Sequence, residues 1–350
     1  MKIVVHRKDN IGDSVLSLPL LKEIEALWPR ASITFWGPDY AAPIFRHFDG
    51  QVAFIGYRKG KHANNFAERM RALWQKLRNL VDFRIRGVDL FFYLGDGTSS
   101  YAQQLDTLIR PRRLITFYPV EKMSGEAKQR GRWTLVESPV HNRRPEFQEV
   151  LKILSPFGWN GMSSRSQGNL LDVSIVKRRQ LVADLRLRND LLIGVHLSAR
   201  RIKQQWPIER FEALMKALVK ESPAAEILVT WSPGDGSNPM HPGDDELSKN
   251  LQAGLNQVDP IHFCPTKNLD DLLAVQSICD VVFCADGGAM HTAAALGSRV
   301  VAMFGDSDPV RWQPIGDRHI LLVAPNQDVA NISVDRALQA IGLAIQNARH

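Results

Sequence analysis

The chain has 350 residues, 44% of them hydrophobic and 23% charged, and a formal net charge of +7. It is too long for one ordinary α/β domain and long enough for two soluble cores, and no run of 18 apolar residues offers a membrane span. Cys264, Cys279 and Cys284 have neither the spacing of a disulfide framework nor that of a metal site, which points to a reducing compartment.

From the N-terminus, Ile3-Val4-Val5 is followed by Arg7, Lys8 and Asp9, so the start does not read as a signal peptide and a cytoplasmic location is expected. Short apolar runs predict strands at 2–6, 32–36, 51–55, 88–94 and 114–118, with helices between them, notably over 14–28 and 64–80. The pattern restarts with strands at 191–197, 226–231, 280–284 and 299–304, a helix over 207–220 and a final helix over 333–348. Alternation of this kind predicts parallel sheets with helices on both faces. The Gly/Ser-rich stretch Gly161–Gly168 marks a boundary, giving domains over 1–172 and 173–330 and a C-terminal helix over 331–350 expected to pack back on the first domain.

The basic excess lies in the first half. Residues 58–86 carry nine Lys/Arg against Glu68 and Asp82, and residues 110–132 carry seven against Glu121 and Glu126. Clustering of this kind suits an anionic partner, and Arg58, Lys59, Lys61, Arg112 and Arg113 are its candidate contacts. No motif or run of stacking aromatics accompanies the charge, so no nucleic-acid partner is expected.

Three strand-to-helix turns carry the candidate chemistry. Asn10-Ile11-Gly12-Asp13 follows the first strand; Asp13 there is a favoured helix cap and equally a carboxylate placed to take a proton from a hydroxyl. The G-x-G-x-x-G fingerprint is absent, which argues against a dinucleotide-dependent dehydrogenase. Asp286-Gly287-Gly288-Ala289-Met290-His291 opens a helix whose N-terminus, with two glycines, suits a diphosphate, His291 being a further candidate donor or a core histidine. His196 to Pro207 brings Ser198, Arg200, Arg201 and Lys203 to a third turn, cations able to neutralise a diphosphate leaving group without a metal. The long loop 232–245 is a further candidate for function.

Together these stretches resemble glycosyltransferase family 9, the heptosyltransferases that build the inner core of bacterial lipopolysaccharide, most strongly over Asp286–Pro314. The resemblance implies an α/β GT-B fold, two Rossmann-like doubly wound parallel-sheet domains facing a central cleft. It implies an inverting, metal-independent transfer with no cofactor, from a nucleotide-sugar donor such as ADP-L-glycero-D-manno-heptose to an acidic glycan or glycolipid acceptor. It places Asp13 on the family's base, Ser198 and Lys203 on its phosphate-contacting hydroxyl and lysine, and Asp286, Gly287, Gly288 and His291 on its donor-binding stretch. An acidic residue near the nucleoside is implied at Asp244, Asp245 or Glu246. The chain departs from the pattern at Gly287, which replaces a hydroxyl residue, at Ala199, and at the doubled Gln204-Gln205. Peripheral contact with the inner face of the inner membrane fits such an acceptor. Transfer of another sugar, a protein acceptor, and a non-catalytic nucleotide-sugar or glycan-binding protein are the alternatives.

Overall fold

The first strand of each half of the chain is apolar on both faces, the mark of a strand covered by helices on either side. In β1 (Lys2–His6) Ile3, Val4 and Val5 are buried, and in β8 (Leu191–His196) so are Leu192, Ile193 and Val195. The computed structural model describes residues 1–59, 65–119, 129–138, 144–162, 169–236, 243–255 and 260–348. It divides into two units, Met1–Gln167 and Gly168–His350.

The first unit adds β2 (Ser32–Pro38), β3 (Val52–Tyr57), β4 (Leu90–Asp96), β5 (Arg113–Pro119), β6 (Gln129–Arg130) and β7 (Trp133–Ser138). They form one sheet in the order β3-β2-β1-β4-β5-β7-β6, parallel except where β6 meets β7. Its helices are α1 (Ile11–Leu16), α2 (Leu18–Leu27), α3 (Ala42–His47), α4 (Phe66–Arg86), α5 (Ser100–Ile109) and α6 (Glu146–Leu151). The single helix expected over 14–28 is two. Pro19 sits in the first turn of α2, where its missing N–H costs little, and cannot continue α1, so the chain breaks at Ser17.

The second unit contains β9 (Ala225–Trp231), β10 (Ile261–Pro265), β11 (Val281–Ala285), β12 (Arg299–Phe304) and β13 (His319–Val323). With β8 they make a parallel sheet in the order β10-β9-β8-β11-β12-β13. Its helices are α7 (Ile175–Asp184), α8 (Ile208–Glu221), α9 (Asp245–Gly254), α10 (Leu269–Gln276), α11 (Gly288–Ala295) and α12 (Val334–Ala348). The last of these, α12, seats Ala337, Ala340, Ile341, Ala344 and Ile345 in the second unit's core, against α8 and the strands β11 to β13. Each of those five positions lies three or four residues from another, and the alanines let the helix lie close to the sheet.

Both sheets share one winding. The order reverses between β1 and β4 in the first unit and between β8 and β11 in the second. Open α/β sheets bind ligands beyond the carboxyl ends of the strands at such a reversal. Among the described residues no helix is long and apolar enough to cross a membrane.

Candidate functional site

Asp13 is in α1, immediately beyond the carboxyl end of β1 and so at the first unit's reversal point. One carboxylate oxygen, Oδ2, accepts the backbone N–H of Asn10 at 3.0 Å. The helix begins earlier than expected, so Asn10 is its N-cap and Asp13, its third residue, completes a capping box rather than being the cap itself. The other, Oδ1, accepts from the Arg7 guanidinium at 2.8 Å. The same guanidinium nitrogen reaches Glu146 Oε1 at 2.8 Å, and Nε lies 3.5 Å from Asp9. Arg7 is 3% exposed. Burial opposes its charge, but Asp13, Glu146 and Asp9 outweigh that and hold its pKa above the usual value. Asp13 is thus fixed on two sides while each oxygen keeps lone-pair capacity for a substrate hydroxyl, and its side chain remains 15% exposed. Belonging to the capping box and being able to act as a base are compatible here.

Cations and tyrosines gather at the same sheet edge. Lys59 follows β3, donates to the Asp9 carbonyl at 2.6 Å and lies over the Tyr40 ring at 5.3 Å. Lys8 and Lys76 both lie over Tyr101, at 5.5 and 4.5 Å. Burial, then the charge of Lys8, push the Lys76 pKa below its usual value, so an anion placed there would relieve a like-charge contact. Arg58 is exposed and lies 3.7 Å from Glu68. Lys61 falls outside the described residues. Arg112 and Arg113 are not brought to this edge. They precede and open β5, where Arg113 is level with Leu90 and Ile3, about 13 Å along the strand direction from Arg7. There Arg112 pairs with Asp89 at 3.3 Å and Arg113 stacks over Phe157.

Beneath the edge, His6 closes β1 with 0% exposure. Its Nδ1 is 2.8 Å from the Trp36 carbonyl, which can only accept, so Nδ1 carries the proton and Nε2 accepts the Tyr101 hydroxyl at 2.9 Å. Burial pushes its pKa down to about 3, with Lys76 and Lys8 adding to the effect against the hydrogen bond to Trp36. His6 is therefore a neutral strut holding Tyr101 beneath the lysines.

In the second unit two turns meet at the β8–β11 reversal. After β11, Asp286 and Gly287 lead into α11, whose first residue is Gly288. A Cβ built on Gly287 meets nothing within 4 Å, so this turn opens into space rather than protein. His291, one turn further on, is 4% exposed. After β8, Ser198 donates to Asp244 Oδ2 at 2.5 Å and accepts the Ser232 N–H at 2.8 Å, tying the two loops together. Of the three acids left open by sequence, Asp244 is therefore the one beside Ser198. Asp245 accepts from Trp231 Nε1 and the Gly234 N–H, while Glu246 is exposed. Burial raises the Asp244 pKa, against the hydrogen bond from Ser198.

Lys203 is exposed in a single 3-10 turn, Ile202–Gln204, and its ammonium makes no hydrogen bond or ion pair among the described residues. Its backbone is pinned from both sides. Gln204, 5% exposed, donates to Asp286 Oδ2 at 3.0 Å, and Ser307 donates to the same oxygen at 2.6 Å. A Cβ on Gly305 would fall 2.4 Å from the Lys203 carbonyl, so only glycine permits this close approach. The doubled glutamine thus has a use: Gln204 joins the Lys203 turn to the Gly287 turn. Among the described residues no group of three or more His, Cys, Asp or Glu is arranged to hold a metal ion.

The profile described as glycosyltransferase family 9 (heptosyltransferase) matches residues 144–341, more than half of the chain. The chain belongs to glycosyltransferase family 9. It is a glycosyltransferase, and its two α/β units are those of the GT-B fold. A family 9 glycosyl transferase structure from Veillonella parvula is similar over 99% of this chain and 97% of that one, with a TM-score of 0.77 at 17% identity. The structure of E. coli ADP-heptose lipopolysaccharide heptosyltransferase II is similar over 100% of both chains, with a TM-score of 0.71 at 17% identity. E. coli heptosyltransferase WaaC with ADP is similar over 98% of this chain and 100% of that one, with a TM-score of 0.71 at 15% identity.

Arg7 and Glu146 were not singled out in sequence, and Gln204 only as part of a departure from the family pattern. One signal existed for Arg7, a cation directly after a strand apolar on both faces, where a charge is buried only if paired. Glu146 lies 139 residues away from it, and no local pattern links the two.

Proposed function

We propose that this family 9 enzyme moves heptose from ADP-L-glycero-D-manno-heptose to an acidic glycan such as lipopolysaccharide core, with inversion and without a metal ion. The observation that carries this reading is the Arg7-held Asp13 at one reversal point, with a glycine-lined helix N-terminus at the other. The two E. coli proteins of like fold support the choice of donor, one being named for ADP-heptose and the other holding ADP.

The acceptor hydroxyl gives its proton to Asp13 as its oxygen attacks the anomeric carbon. A carboxylate is base enough because that proton becomes acidic as the new C–O bond forms. The bond from the anomeric carbon to the β-phosphate oxygen breaks on the opposite face, and ADP leaves with the electron pair. Backbone N–H groups at the start of α11 and the ammonium of Lys203 receive the added charge, the work a metal does elsewhere. Arg7 aligns Asp13, and Asp286, held by Gln204 and Ser307, fixes the turn that meets the diphosphate. Arg58, Lys59, Lys8 and Lys76 meet the acceptor's negative groups, with Lys61 as a further contact.

Nucleotide choice tests the donor directly. In a thermal-shift panel of ADP, UDP, GDP and CDP, ADP is expected to raise Tm by a few degrees at about 100 times its Kd, equivalent to about 2.7 kcal/mol. A larger shift with UDP, GDP or CDP would exclude ADP-heptose as the donor.

A further inference from the structure

α4 is apolar on two faces, and the described residues cover only one of them. Ala72, Leu80 and Phe83 point into the first unit's core. Phe66, Leu73, Trp74, Leu77, Val81 and Ile85 are 78%, 48%, 66%, 39%, 54% and 78% exposed. At 100° per residue those six fall within an arc of about 120°, and they run the helix's full length of about 30 Å. A solvated helix face carries polar residues at such positions, and scattered exposed apolar side chains do not line up in this way.

Charge says what covers the stripe. Arg69, Arg71, Arg78 and Arg84 are exposed and make no ion pair among the described residues. The two acids of the helix are occupied, Asp82 by Arg86 at 2.6 Å and Glu68 by Arg58 at 3.7 Å. Arg71 and Arg78 border the stripe along the edge away from the core. A second copy docked stripe to stripe would set these arginines against their own counterparts. A surface of anionic lipid headgroups over acyl chains accepts both the arginines and the apolar side chains.

We propose that α4 is an interfacial helix that seats the protein on an anionic lipid bilayer, its apolar stripe at the level of the acyl boundary. The purpose, bringing the enzyme to an acceptor borne on a lipid, rests on the function proposed above; the binding itself does not. Full-length protein, without donor or acceptor, is sedimented with phosphatidylcholine vesicles and with vesicles that also contain phosphatidylglycerol. Binding at least about tenfold better to the anionic vesicles is expected, weakening as salt rises. Leu73→Gln/Trp74→Gln/Leu77→Gln and Arg71→Glu/Arg78→Glu should each lose about tenfold or more, with an unchanged far-ultraviolet spectrum and an unchanged thermal shift with ADP. Equal binding to neutral vesicles, variants that bind like the parent, or a dimer in light scattering that the Leu73/Trp74/Leu77 variant abolishes would overturn the proposal. Because ADP recognition is read separately, loss of the heptose reading and loss of the membrane reading are distinguishable.

Discussion

Gly287 stands at the head of α11 where the family carries a hydroxyl residue, and the space a side chain would fill is open. Its φ of 165° is extended backbone that any residue adopts, so neither room nor strain excludes a serine. Gly287→Ser is therefore expected to keep stability and to add one hydrogen bond to the diphosphate, tightening ADP by roughly 2- to 10-fold. Titration calorimetry checks this, and weaker ADP binding would show that the open space is already needed by the ligand. Gly287, Gly288 and Asp13 were legible because each stands at a strand-to-helix turn, where residue type alone limits what the backbone can do. Their partners were not. Arg7 meets Glu146 and Gln204 meets Asp286 only after the strands between them have found their order, and no spacing rule reaches 139 or 82 residues. Ser198 was legible as a loop hydroxyl, but its commitment to Asp244 was not.

The first strand of each sheet ends in a buried histidine, His6 on β1 and His196 on β8. Burial holds both neutral, pushing His6 down to about 3 and His196 to about 4. The sign of the linkage follows. An unfolded chain protonates these rings below about pH 6.5 while the folded chain does not, so stability is full above that pH and is lost as pH falls. For His6 the loss reaches about 2 kcal/mol by about pH 5. Urea denaturation at about pH 7 and about pH 5 should show this decline. The smaller His6→Asn side chain keeps a donor for the Trp36 carbonyl and should be less stable near neutrality but show a shallower decline. An unchanged decline in that variant would remove His6 as a cause. Elements at the sheet centres were legible because their strands are apolar on both faces. β10 and β13 were missed because they are sheet edges, mostly half-buried, where polar residues interrupt the run. β7, in the first unit's sheet, was missed as well, a strand mixing Trp133, Thr134 and Glu137.

At the scale of the molecule, alternation of strand and helix was enough to give two doubly wound units, since each strand in turn needs a cover for both faces. Charge clustering was a poorer guide. Residues 58–59 leave the carboxyl end of β3, whereas 112–113 enter β5 at the opposite end of the same sheet, so two basic segments grouped as one candidate surface belong to two edges. The same sheet explains why one short carboxylate can matter: β1 delivers Asp13 to the reversal point, and Arg7 and Asn10 hold it there on both oxygens. Asp13→Asn preserves the size of that side chain, so the fold and ADP binding should survive while the proton acceptor is lost. The measurement that tests the account most directly is heptose transfer from ADP-L-glycero-D-manno-heptose to lipopolysaccharide core in the presence of chelator, with the anomeric configuration of the product read by NMR. The account predicts an inverted product from the parent protein and a turnover at least about 100-fold lower for Asp13→Asn at unchanged ADP affinity. Near-normal turnover by that variant, a retained anomeric configuration, or a strict requirement for a divalent metal would contradict it.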